Sequence, residues 1–109
     1  MFGMFKKKPI ESPRLETLFI AHLSGLLRDN QHTSKEELRS SFMKALSRNN
    51  FTTTAEQDFA VTLACTNIWL SSDLKQAISS YRIEEDHTWD KLKSIRIQLA
   101  EHEVFLWAS

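Results

Sequence analysis

From Ser12 onward the apolar residues recur at helical spacing. Leu15, Leu18, Phe19, His22 and Leu26 follow one another at intervals of three and four, and Leu23 and Leu27 widen the stripe. That is the signature of an amphipathic helix. Ser12 followed by Pro13 reads as its N-cap and first turn, since Pro has no N–H to lose there. Arg28, Asp29 and Asn30 end it. Gly25 lies in the helix interior, where glycine costs stability, and close packing against a second helix is the expected reason for it.

The second pattern has Leu38, Phe42, Ala45 and Leu46 on one stripe, with Arg39, Lys44 and Arg48 mostly off it. Thr33 with Glu36, or Ser34 with Glu37, supplies a capping box at its start. Asn49 and Asn50 form a plausible stop, because Asn tolerates the left-handed backbone. A third capping box, Thr53 with Glu56, precedes a segment that is apolar almost all round from Phe59 to Leu70. Phe51 stands before it as a candidate staple residue. A helix without a solvated face is usually central, so this segment is expected to be the core helix. Ser71, Ser72 and Asp73 either restart a helix carrying Leu74, Ala77, Ile78 and Tyr81 or kink a continuous one, and the IEEDH stretch then reads as a turn. In the last helix, capped by Asp86 or Thr88, the residues Trp89, Leu92, Ile95, Leu99, His102 and Leu106 lie on one broad face.

The expected fold is therefore all-α, a single-domain antiparallel bundle of four to five helices over residues 12–109. Residues 1–11 form a tail that is apolar and then basic. Composition agrees: with two Gly and two Pro among 109 residues, there are too few turn formers for an all-β chain.

Charge and cysteine content narrow the function classes. A formal net charge of zero does not suit a chain that binds nucleic acid by overall electrostatics. Cys65 is the single cysteine, which rules out an internal disulfide and suits a reducing compartment. No apolar run approaches the ~20 residues of a membrane span. In the N-terminal segment the apolar part precedes the lysines, the reverse of a secretory signal, and Phe2 is incompatible with N-myristoylation. A cytoplasmic location is the expectation.

Candidate chemistry is sparse. The Glu-x-x-His spacing of di-iron bundles occurs once, at Glu84 and His87, while Leu99 and Phe19 stand where His102 and His22 would need a carboxylate. No metal site and no cofactor are expected. Cys65 sits in the most apolar helix, where a thiol should have a raised pKa and act as a small hydrophobe. There is no glycine loop for phosphates. A helix-turn-helix around Asn49 would present EQDFAVTLACT to DNA, a stretch without a basic residue, so that reading is set aside.

What remains is recognition of another protein. Trp69, Trp89 and Trp107 are large anchors of the kind found at interface centres, with two of them expected in the core and Trp107 accessible. Glu84, Glu85, Asp86, His87, Phe105 and Trp107 are the candidate partner-binding residues. A small non-enzymatic interaction module, such as an adaptor, a regulator or a toxin-neutralising inhibitor, is the leading expectation, and self-association is compatible with it. Two alternatives stand beside it. A peripheral membrane protein would use Phe2, Phe5, Lys6, Lys7 and Lys8 as a weak anchor. A helical ribonuclease would use Arg82 and His87, whose four-residue separation is similar to the Arg-x4-6-His spacing of HEPN nucleases. Ile83 stands where those enzymes usually carry a polar residue, and one such pair is expected by chance, so no membership is claimed.

Overall fold

The computed structural model describes residues 8–85 and 87–102. Among these residues it is an all-α bundle of five helices. These are α1 (Ser12–Asp29), α2 (Lys35–Arg48), α3 (Ala55–Leu70), α4 (Ser72–Ser79) and α5 (Thr88–Glu101). The only strands among the described residues are β1 (Lys8–Pro9) and β2 (Phe51–Thr52), a parallel pair that ties the chain before α1 to the α2–α3 connection. The tail residues Phe2, Phe5, Lys6 and Lys7, together with Asp86, Phe105 and Trp107, lie outside the described residues.

The core is centred on α1. Its residues Leu15, Phe19, Ile20, Leu23 and Leu27 are fully buried, and it packs against α2 and α4. Phe19 meets Phe42 of α2 edge to face, with ring centroids 5.0 Å apart, the favoured geometry for an aromatic pair. Arg28 in the last turn of α1 donates to the carbonyls of Tyr81, at 2.8 Å, and Ser79, at 3.4 Å. It thereby satisfies acceptors that the end of α4 leaves without helical partners.

Helix boundaries follow local chemistry, with two shifts from expectation. Glu11, not Ser12, is the cap residue of α1, and the helix begins at Ser12. Of the two boxes offered for α2, Ser34 with Glu37 is used: Ser34 Oγ accepts from the Glu37 N–H at 3.1 Å. Thr33 is instead buried and donates to the Asn30 carbonyl. The α3 box is one residue later than expected. Thr54 and Gln57 cap each other reciprocally, because Gln57 is also held from a distance: its Nε2 donates to the Ile10 carbonyl at 2.8 Å. Asn50 adopts φ 60° at the end of α2, the left-handed stop expected of Asn. Ser71 ends α3 and also caps α4 through the Leu74 N–H, so the helix restarts there.

Gly25 does not mark a close approach. It is half-buried, and a Cβ placed there would meet only Arg28 Nη2, at 3.9 Å. No neighbouring helix needs the missing side chain.

Candidate functional site

α3 is not enclosed. Its inner side buries Ala60, Val61, Ala64, Cys65 and Ile68, but it packs against α2 and α4, and the opposite side faces solvent. Phe59 is 69% exposed, Leu70 68% and Trp69 41%. At 100° per residue, Phe59, Leu63, Thr66 and Leu70 fall on one line down the outer face, with Leu63 and Thr66 half-buried. The expected core helix thus has a solvated side, on which Phe59, Leu63 and Leu70 stand beside Thr62, Thr66 and Asn67. Isolated exposed apolar residues are ordinary; a continuous stripe is the feature that marks contact surfaces.

The polar side chains on this helix are already satisfied by it. Thr62 Oγ1 donates to the Asp58 carbonyl at 2.9 Å, Thr66 Oγ1 to the Thr62 carbonyl at 3.1 Å and Asn67 Nδ2 to the Leu63 carbonyl at 3.0 Å. Covering them would therefore strand few polar groups, and it is the stranded group that makes burial costly. The α2 flank is held in place by Arg39, which forms an ion pair with Asp58 at 2.5 Å and donates to Thr62 at 2.7 Å. Lys35 places its ammonium 5.7 Å from the Trp69 ring centroid.

The tryptophans differ from expectation. Neither Trp69 nor Trp89 is in the core, and Trp89 is 78% exposed. On α5 the buried residues are Leu92, Ile95 and Leu99. Trp89 lies in the first turn, and His102, at the last, is likewise exposed. The face that α5 turns inward is narrower than the sequence pattern suggested.

The connection into α5 is internally paired. Glu85 is engaged by Lys91 and by Arg82, the latter at 3.5 Å. The hydrogen bond from Lys91 holds its carboxyl below the usual carboxylate range. Thr88 closes the turn by donating to the Glu85 carbonyl. His87 Nδ1 lies 3.9 Å from Asp90, and Arg82, Glu84 and His87 are exposed. Arg82 and His87, the alternative nuclease pair, thus each face a carboxylate on an open turn.

Cys65 is buried, and burial pushes its thiol up to about 12, the behaviour of a packed hydrophobe. His22 is half-buried on α1, with Nε2 2.9 Å from Ser41 Oγ. Burial, with Arg48 nearby, holds its pKa below the ordinary value. It borders a 470 Å³ groove between α1 and α2 lined also by Arg14, Leu18, Phe42, Leu46 and Phe51. Glu16 on α1 is buried and ion-paired with Arg96 of α5 at 2.5 Å. Burial raises its pKa to about 7 against the opposing influence of Arg96.

Among the described residues no three His, Cys, Asp or Glu side chains gather as metal ligands, and no helix is long and apolar enough to cross a membrane. Sequence patterning missed Phe59, Leu63 and Leu70 as surface residues. The available signal was size: a 109-residue bundle of short helices has too little interior to surround any one helix completely. Comparison with family models, curated proteins and solved structures finds no match to the chain.

Proposed function

We propose that this chain is a small non-enzymatic protein-interaction module, an adaptor, regulator or neutralising inhibitor, that binds through the outer face of α3. One observation carries the reading. Phe59, Leu63 and Leu70 form an apolar stripe with no charged residue on its line and with its polar neighbours bonded to their own helix. Stripes of this kind receive the apolar side of a partner helix, and the aromatic Phe59 and Trp69 are the residue types that dominate binding energy. Arg39 and Lys35 of α2 border the stripe and would form its polar rim. Glu84 and His87, exposed on the connection into α5, are available as a second contact. A single buried thiol suits a reducing compartment, and on that ground we assign the chain to the cytoplasm.

The test is site-specific photo-crosslinking in native extract. A photoreactive residue at position 70 is expected to give adducts of discrete mass, with a second copy or with another chain. The same residue at position 93, exposed on α5, is expected to give none. Equal labelling from both positions, or no discrete adduct from position 70, would remove the basis for the proposal.

A further inference from the structure

We infer that the groove between α1 and α2 is a binding site for a small organic acid, a single carboxylate carried on an apolar body. The groove shares no residue with the outer face of α3, so the inference stands apart from the reading of that face.

The floor of the groove is apolar, built by Leu18 and Ala21 of α1, Phe42 and Leu46 of α2 and Phe51 of β2. At 470 Å³ it has the volume of a small-molecule site. Its charge is of one sign. Arg14 lines it, Arg48 stands close enough to His22 for its charge to act on the imidazole, and no lining residue is Asp or Glu. His22, tied to Ser41 Oγ at 2.9 Å, and Asn49, tied to the Ala45 carbonyl at 2.8 Å, complete the polar lining.

The arginines single out the ligand. Arg39, Arg82 and Arg96 each pair with a carboxylate, and Arg28 donates to backbone carbonyls. Arg14 and Arg48 are the two that have no acceptor among the described residues, and both stand at this groove. Arg14 is also held ready. Its guanidinium lies over the Phe51 ring, 4.5 Å from the centroid. Stacking engages the flat face and leaves the in-plane N–H donors free, the edge that takes a carboxylate bidentately. An apolar floor beside two unpaired cations complements a ligand with one negative charge and an apolar body. The chain's own N-terminal segment lacks that chemistry: Lys8 pairs with Phe51 at the groove wall, and Lys6 and Lys7 precede it, adding cations to cations.

NMR titration of the isotope-labelled full chain with decanoate and with naphthoate tests this, with decyltrimethylammonium as the control of opposite charge. Amide shifts at Ala21, His22, Ala45 and Leu46 are expected to saturate with at least one of the acids. The cation is expected to bind at least about tenfold more weakly. Arg14→Gln and Arg48→Gln are each expected to weaken acid binding about threefold, and the double variant about tenfold, the scale of exposed charges. Both side chains are exposed, and unchanged circular dichroism will show that the variants fold. No saturable shift with either acid overturns the inference, as does equal binding of the cation or wild-type affinity in the double variant. Saturable shifts at Phe59, Leu63 and Leu70 instead would overturn the choice of groove. Nuclear Overhauser contacts to Leu18 and Phe51 from Phe2 or Phe5, of the same chain or of a second copy, would put protein in the groove and equally overturn the inference.

Discussion

α1 and α3 are both rich in apolar residues, yet they do opposite things with them. α1 turns Leu15, Phe19, Ile20, Leu23 and Leu27 entirely inward and even buries Glu16. α3 divides its apolar residues between two sides, sealing Ala60, Val61, Ala64 and Ile68 while leaving Phe59 and Leu70 more than two-thirds exposed. Apolar content alone therefore does not make a helix central. The smaller residues of α3 face the bundle and the largest face water, the reverse of what folding alone would favour. An arrangement of that kind is expected where the outer side has a second role.

The widest gap between the two helices should appear on truncating a phenylalanine in each. Phe19→Ala removes a fully buried ring that packs on Phe42, and denaturant unfolding is expected to show a loss of about 3–5 kcal/mol. Phe59→Ala, read in dilute solution, is expected to stay within about 0.5 kcal/mol of wild type. A large loss at Phe59 would place that ring in the fold rather than on a contact surface.

The second contrast is in how each helix treats polarity. Thr62, Thr66 and Asn67 of α3 bond to their own backbone, whereas α1 buries the Glu16 carboxyl beside Arg96. Burial raises that carboxyl to about 7, so the folded chain holds the proton more tightly than the unfolded chain. The stability this adds is complete below the ordinary carboxylate range and is lost as pH rises through about 7. His22 acts in the opposite sense, because its pKa is lowered by burial and charging it in acid opposes folding. The comparison is therefore wild type against Glu16→Gln, in which His22 cancels. Glu16→Gln should gain on wild type by about 3 kcal/mol between pH 4.5 and pH 8. A difference independent of pH would mean that the carboxyl titrates normally.

A small gain is expected at Gly25. With nothing closer than Arg28 Nη2 at 3.9 Å to meet a Cβ, Gly25→Ala should raise stability by about 0.5–1 kcal/mol through backbone entropy and helix propensity. Destabilisation would reveal a close approach that the packing of α1 does not show.

These contrasts also show which parts of the fold could be read from the chain. The amphipathic pattern of α1 and the Asn50 stop were legible because their causes lie within a few residues of one another, while the sequence narrowed the α2 cap to Thr33 or Ser34 and residues 71–73 to a break or a kink, and packing decides each. The α3 cap was misplaced by one position because Thr53 and Thr54 are locally equivalent, and the distant Ile10 carbonyl, bonded to Gln57, distinguishes them. The pairing of Lys8 with Phe51 and Pro9 with Thr52 is likewise nonlocal. The outer face of α3 was missed for a related reason. Periodicity reports where apolar residues point relative to one another, not how many neighbours surround the helix. Trp89 shows the same limit on α5, where a residue near the apolar stripe lies beyond the edge of the packed face.

The most direct measurement of whether the outer face of α3 serves contact rather than folding is the unfolding midpoint of Phe59→Lys against wild type in dilute solution. With Phe59 69% exposed, the variant is expected to unfold at the wild-type midpoint. A variant clearly less stable than wild type would contradict the account, because Phe59 would then be supporting its own bundle.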